Sequence, residues 1–169
     1  MTNDQVLAEE LPYIEEFDFK KHPRRFLNKK LIASTLFFIP FLIAILVLGL
    51  TIDEIETWVT ITALGAWLFL LLLSVFISFK GYFVRGYILR ELDITYRKGW
   101  VFHHQITVPF NRIQHTEVSH GPIDRMFKLK QLEIYTAGGS SSDLSISGLD
   151  PQEAERLKEY IAEKTAKYA

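Results

Sequence analysis

Cysteine is absent from the 169-residue chain, which excludes a disulfide framework, a thiolate zinc site and a cysteine nucleophile. A basic surplus is absent as well. The formal net charge is -1, whereas a protein that reads nucleic acid carries a strong positive excess, so no nucleic-acid partner is expected. Two long stretches, Leu31 to Leu50 and Trp58 to Phe79, contain no charged side chain and no histidine. Ionisable groups inside a membrane mark ion or substrate paths, and their absence argues against transport or proton relay. Neither a Ser-His-Asp set, a paired-carboxylate cleft nor a nucleotide fingerprint is present. Gly138-Gly139-Ser-Ser-Ser142 lacks the Lys-Ser/Thr and the following helix that a phosphate loop needs, and reads as a hairpin connection.

What the chain does have is strongly divided. Most apolar residues fall in the two uncharged blocks, and each is long enough to cross a hydrocarbon core of roughly 30 Å as a helix of about 20 residues. The remaining chain is too small to bury both as core helices. Pro40 is tolerable in a spanning helix, and Trp58, Tyr82 and Phe83 lie where aromatic belts form. The short link Thr51 to Thr57 makes the helices antiparallel neighbours, and its charges, Asp53, Glu54 and Glu56, are all acidic. Lys20, Lys21, Arg24, Arg25, Lys29 and Lys30 precede the first block, and Lys80, Arg85 and Arg90 follow the second. The positive-inside rule then places both termini in the cytoplasm, in a multi-pass protein of the cell (inner) membrane.

The expected division is a cytoplasmic juxtamembrane segment at 1–30, a transmembrane hairpin at 31–79 (spans 31–50 and 58–79) and a cytoplasmic domain at 80–169. Within the first segment, Met1 to Glu16 is acidic and reads as loose. Phe17 to Lys30 interleaves basic residues with Phe17, Phe19 and Phe26. Its charges serve as the topology signal, with contact to anionic lipid as the alternative.

From Gly81 the pattern turns to period two. Strands are expected at Tyr87 to Leu92, Asp93 to Arg97, Trp100 to Val108, Ile113 to His120, Leu129 to Thr136 and Asp143 to Ser147. Lys98-Gly99 reads as a tight hairpin turn, and Ile123 to Phe127 as a single helical turn. The third strand would place Trp100, Phe102, Ile106 and Val108 on one face. A final helix starts at Asp150 as cap with Pro151 in the first turn and Glu153 completing a capping box. Ala154, Leu157, Tyr160 and Ile161 form its apolar stripe. Strands followed by one amphipathic helix suggest a bent sheet or partial barrel with a helix over one open end.

Pro109-Phe-Asn-Arg-Ile-Gln-His-Thr-Glu-Val-Ser-His-Gly-Pro-Ile-Asp-Arg-Met-Phe-Lys-Leu129, then Leu132-Glu-Ile-Tyr-Thr-Ala-Gly-Gly139 and Gly148-Leu-Asp-Pro-Gln-Glu-Ala-Glu155, resembles the YdbS-like bacterial pleckstrin-homology (PH) membrane proteins. The resemblance covers nearly the whole chain. It implies a membrane-anchored α+β protein: a two-helix transmembrane hairpin followed by a PH-like bent β-barrel capped by its C-terminal helix. A PH fold has seven strands where the residues show six, so the extra strand lies within Gly81 to Arg90 or two have been merged. The resemblance brings no catalytic residues, and no cofactor or metal is expected. It also implies a longer membrane-protein partner with several PH-like domains.

The candidate site residues are basic. Arg112, Arg125, Lys128 and Lys130 flank the Gly121-Pro122 turn and would form a patch for lipid head groups or an acidic protein surface. Alternatively, Arg112 and Arg125 pair with Glu117, Asp124 or Glu133. His103, His104, His115 and His120 lack metal-ligand spacing, since adjacent strand residues point to opposite faces. Three readings remain: an interaction module for a membrane-protein partner or a second copy, a lipid or envelope-stress sensor, and an enzyme using the histidines with Glu117.

Overall fold

The computed structural model describes residues 18–137 and 142–167. Met1 to Phe17 and most of the Gly138 to Ser142 connection lie outside the described residues. Helix α1 covers Arg24–Thr51 and α2 covers Thr57–Val84, and both are 28 residues long. At 1.5 Å per residue each is about 42 Å, some 12 Å more than a hydrocarbon core requires. The excess is the basic start of α1 and the Lys80 to Val84 end of α2. The helices therefore run beyond the uncharged blocks and form a stem under the domain.

The two helices pack as a hairpin. Ser34 Oγ and Ser74 Oγ lie 2.7 Å apart, and Trp67 Nε1 donates to the Phe38 carbonyl at 2.9 Å. Thr62, by contrast, bonds back to its own helix at the Val59 carbonyl. Gly49 lets Thr60 approach so closely that an added Cβ would lie 2.7 Å from its methyl group.

Six strands follow, β1 (Gly86–Leu89), β2 (Asp93–Lys98), β3 (His104–Pro109), β4 (Ile113–Ser119), β5 (Lys130–Thr136) and β6 (Leu144–Leu149). They form two three-stranded antiparallel sheets, β1-β2-β3 and β4-β5-β6. A 3-10 turn at Phe110–Arg112 joins the sheets, and a short helix α3 (Pro122–Met126) links β4 to β5. Their inner faces share one core, with Ile94, Tyr96 and Val108 from the first sheet and Leu132, Ile134 and Ile146 from the second. Helix α4 (Pro151–Ala166) covers it with Ala154, Leu157 and Ile161. This is the expected helical hairpin followed by a PH-like β domain with a C-terminal helix.

Asp150 caps α4 through a bond from Gln152 N–H. Glu153 does something the capping box did not anticipate: it accepts from the Tyr87 hydroxyl and pairs with Lys20 at 2.7 Å. The third strand is also shorter than expected. It begins only at His104, because the chain curls at Gly99, whose φ is +89° and whose added Cβ would lie 1.8 Å from the Phe102 carbonyl oxygen. Trp100 to His103 form a protruding loop, so Trp100 and Phe102 do not share a strand face with Ile106 and Val108.

Among the described residues six strands form, as the alternation showed, and one isolated bridge extends the first sheet. Lys20 bridges Tyr87 antiparallel, with Lys20 N–H donating to Tyr87 O at 2.8 Å and Tyr87 N–H to Lys20 O at 3.2 Å. The segment before the hairpin thus joins the edge of β1, and Gly86 makes room, since a Cβ there would meet Phe19 at 2.9 Å. The juxtamembrane segment thus contacts the later domain at Lys20 and, further on, at Phe26.

Phe26 anchors this segment. It is 2% exposed and packs with Tyr82 and Leu129. Opposite it stands Gly148, where the register of β5 against β6 shifts at a bulge. Gly148 has φ +84°, and a Cβ would fall 2.2 Å from the Phe26 ring. Gly148→Val should therefore lower stability by roughly 2–4 kcal/mol, from overpacking and left-handed strain together. Thermal unfolding of the full chain in lipid nanodiscs reads this, with Gly65→Ala, which meets nothing within 4 Å, as a near-neutral reference. An unchanged melting temperature for Gly148→Val would refute the docking.

Candidate membrane-proximal interface

The basic residues before the hairpin have divided roles. Lys20 pairs with Glu153, Arg25 with Asp150, and Lys29 with Asp124 at 2.5 Å. Lys29–Asp124 is the most shielded, with side-chain exposures of 19% and 12%, so losing one partner would strand a charge in a poorly hydrated site. Lys30 Nζ and the Arg85 guanidinium each lie 5.5 Å from the Phe26 ring centre. Lys21 and Arg24 remain exposed. The segment therefore uses part of its charge to clamp the domain, a role the topology signal alone does not require.

The proposed patch is not one surface. Arg112 lies in the 3-10 turn that opens β4, whereas Arg125, Lys128 and Lys130 follow its far end. Seven residues of β4 separate them, roughly 20 Å of strand. Lys130 is turned to Glu155 on α4 at 2.5 Å. Arg125 and Lys128 are exposed, and Arg125 Nη2 lies 3.2 Å from His120 Nε2. Lys128 adopts φ +51°, and its carbonyl accepts from Arg25 at 3.4 Å, which ties this corner to the start of α1. Among the described residues no ion pair joins Arg112 or Arg125 to Glu117, Asp124 or Glu133. Asp124 is held by Lys29, and Glu133 accepts from Ser119, Gln131 and Tyr135.

The histidines are likewise dispersed. His103 lies in the loop and His104 opens β3, His115 stacks on Tyr135 with ring centres 4.2 Å apart, and His120 meets Arg125. Among the described residues, no three His, Asp or Glu side chains gather with metal-binding geometry. A groove of about 600 Å³ opens between β1 and α4, but Lys20, Tyr87 and Glu153 in its wall are bonded to one another.

Sequence reasoning overlooked His22, which is 4% exposed and packs 5.1 Å from Phe26 and 6.0 Å from Tyr96 between ring centres. Neither ring nitrogen makes a hydrogen bond of ordinary geometry. Burial pushes its pKa down to about 4, opposed in part by the Gly148 backbone, while the Arg85 and Lys30 charges lower it further. Only its place beside the interleaved phenylalanines hinted at burial. The native state holds His22 neutral, so its contribution is fully present above about pH 6.5 and is lost as pH falls toward 4. The gap from the ordinary value corresponds to roughly 3 kcal/mol. Melting temperatures of the full chain should fall steadily between pH 6.5 and 4, and His22→Phe should flatten that slope. An equal slope in the variant would remove His22 from the explanation.

Comparison with known proteins agrees with this architecture. The family model described as "Bacterial PH domain" matches residues 34–165. The chain is 30% identical over 106 residues to the UPF0699 transmembrane protein YdbS of Bacillus subtilis (strain 168), covering 62% of this chain and 65% of YdbS. A stretch of 60 residues is 38% identical to the UPF0699 transmembrane protein YdbT of the same organism, covering 35% of this chain and 12% of YdbT. The chain thus spans less than two thirds of either relative's length in these matches. No solved structure matches it. With two apolar helices, two three-stranded sheets and a closing helix beneath a family match over most of its length, the chain belongs to the bacterial PH-domain family, as a YdbS-like membrane protein.

Proposed function

We propose that the chain is a membrane-tethered, non-catalytic interaction module. Both helices span the cell membrane, both termini lie in the cytoplasm, and the PH-like domain binds a membrane-protein partner or a second copy of itself at the cytoplasmic face. The carrying observation is the corner at α3. Asp124, the one carboxylate of that helix, is turned inward to Lys29, while Arg125, Met126 and Lys128 are exposed beside the root of α1. An apolar residue between two cations at the membrane-proximal edge suits an acidic-and-apolar surface on a protein already held in the same bilayer. Co-tethering raises the effective concentration, so a small contact suffices. The similarity to part of YdbT, which is matched over only 12% of its length, supports a partner that carries a related segment within a longer membrane protein.

The same-side placement of the two chain ends is favoured by the docking of residues 18–30 on the later domain, and the acidic Asp53 to Glu56 link suits the outer face. A second reading, sensing of lipid head groups, draws on exposed Lys21 and Arg24 at the α1 entrance.

A membrane-impermeant cross-linker tests the proposal on native membranes. Applied to inside-out vesicles, it should capture a specific membrane protein or a second copy, and Arg125→Glu/Lys128→Glu should reduce that capture at least several-fold. Equal capture by the variant would reject the α3 corner as the contact. Capture only from right-side-out vesicles would reverse the orientation. Recovery of lipid alone would replace the partner reading by head-group sensing.

A further inference from the structure

We propose that the loop between β2 and β3 is a third membrane element, with Trp100, Val101 and Phe102 inserted into the cytoplasmic leaflet alongside α2. The three side chains form a consecutive apolar tip, exposed to 39%, 55% and 76%. Consecutive large apolar residues at a loop tip are costly to hold in water, and a patch of this kind marks a protein or membrane contact. Its place in the fold selects between those occupants.

The β2–β3 hairpin runs down the side of α2 from two points of attachment. Near the domain, Arg97 Nε donates to the Val84 carbonyl, the last residue of α2, at 3.2 Å. At the tip, the Trp100 ring meets the Phe76 ring edge-on, with centres 5.5 Å apart. Phe76 lies two turns before the end of α2, about 12 Å along its axis, and inside the uncharged block that reads as a span. Lys80 Nζ lies over the same Phe76 ring at 5.7 Å. The tip therefore passes the last cation of α2 and reaches the first turn of its apolar stretch, where a tryptophan ring finds the interfacial environment it prefers.

The backbone holds this posture. Gly99 takes φ +89°, and its missing side chain leaves the space that the Phe102 carbonyl occupies. The shoulders of the loop are polar, with Lys98 on one side and exposed His103 and His104 on the other, as suits residues level with head groups. The occupant is thus the lipid leaflet that surrounds α2, whichever protein the domain binds. The consequence is positional: with both helices and the loop engaged, the domain cannot rotate freely on its stem.

The absence of cysteine makes the test direct. Phe102→Cys carries a single nitrobenzoxadiazole label in full-length protein reconstituted into phosphatidylcholine/phosphatidylglycerol vesicles, and Asn111→Cys, exposed in the 3-10 turn at the far end of β3, serves as reference. Nitroxide lipids labelled high on the acyl chain should quench the Phe102 site several-fold more than the Asn111 site, and aqueous iodide several-fold less. Val101→Cys should behave as Phe102→Cys does, which guards against a local effect of one substitution. Iodide access equal to that of Asn111 would overturn the proposal. Protection from both quenchers would also overturn it, since the cover would then be protein.

Discussion

The seating of the early segment on the domain depends on one aromatic ring that enters from the far end of the chain. Phe26 precedes the helical hairpin, yet its ring fills the space that Gly148 leaves in the last strand. Burial of a phenylalanine of this kind contributes on the order of 2–3 kcal/mol before any cavity is counted. That contact organises the segment around it. It aligns Lys20 with the edge of β1, seats His22 against Tyr96, and brings Arg25 and Lys29 to Asp150 and Asp124. The segment that runs past Lys20 toward the hairpin and the chain that returns from it at Gly86 are thereby bridged side by side.

The consequence is mechanical. In an ordinary tethered domain one flexible linker separates fold from membrane. Here α1 begins at Arg24, beside the buried Phe26, and α2 ends at Val84, one residue before β1 approaches. Neither connection leaves a long linker, so both helices run almost directly into the domain.

Much of this was legible in the amino-acid order, and the remainder was not for identifiable reasons. The two long helices were visible because an uncharged apolar stretch of that length has few alternatives. Most strands were visible through alternation, and α4 through Asp150-Pro151. The loop at Trp100 to His103 was read as strand because Trp100, Phe102, Ile106 and Val108 alternate correctly, while the positive φ at Gly99 that ends the ladder has no periodic signature. Docking of Phe26 was illegible because it joins residues more than a hundred positions apart through a glycine whose significance lies in an absent side chain. The basic patch was grouped along the sequence, and β4 then carried Arg112 away from Arg125 and Lys128. Glu153 looked like half of a capping box until Tyr87 and Lys20 claimed it.

Amide hydrogen exchange of the full-length chain in nanodiscs is the most direct measurement of the dependence on the segment before the hairpin. The amides of Lys20 and Phe26, which donate to Tyr87 O and Pro23 O, should exchange with the same opening free energy as Tyr96 and Ile134 in the core, as members of one cooperative unit. Free exchange at Lys20 and Phe26 while Tyr96 and Ile134 stay protected would show a domain that folds without the segment, and would contradict the claim.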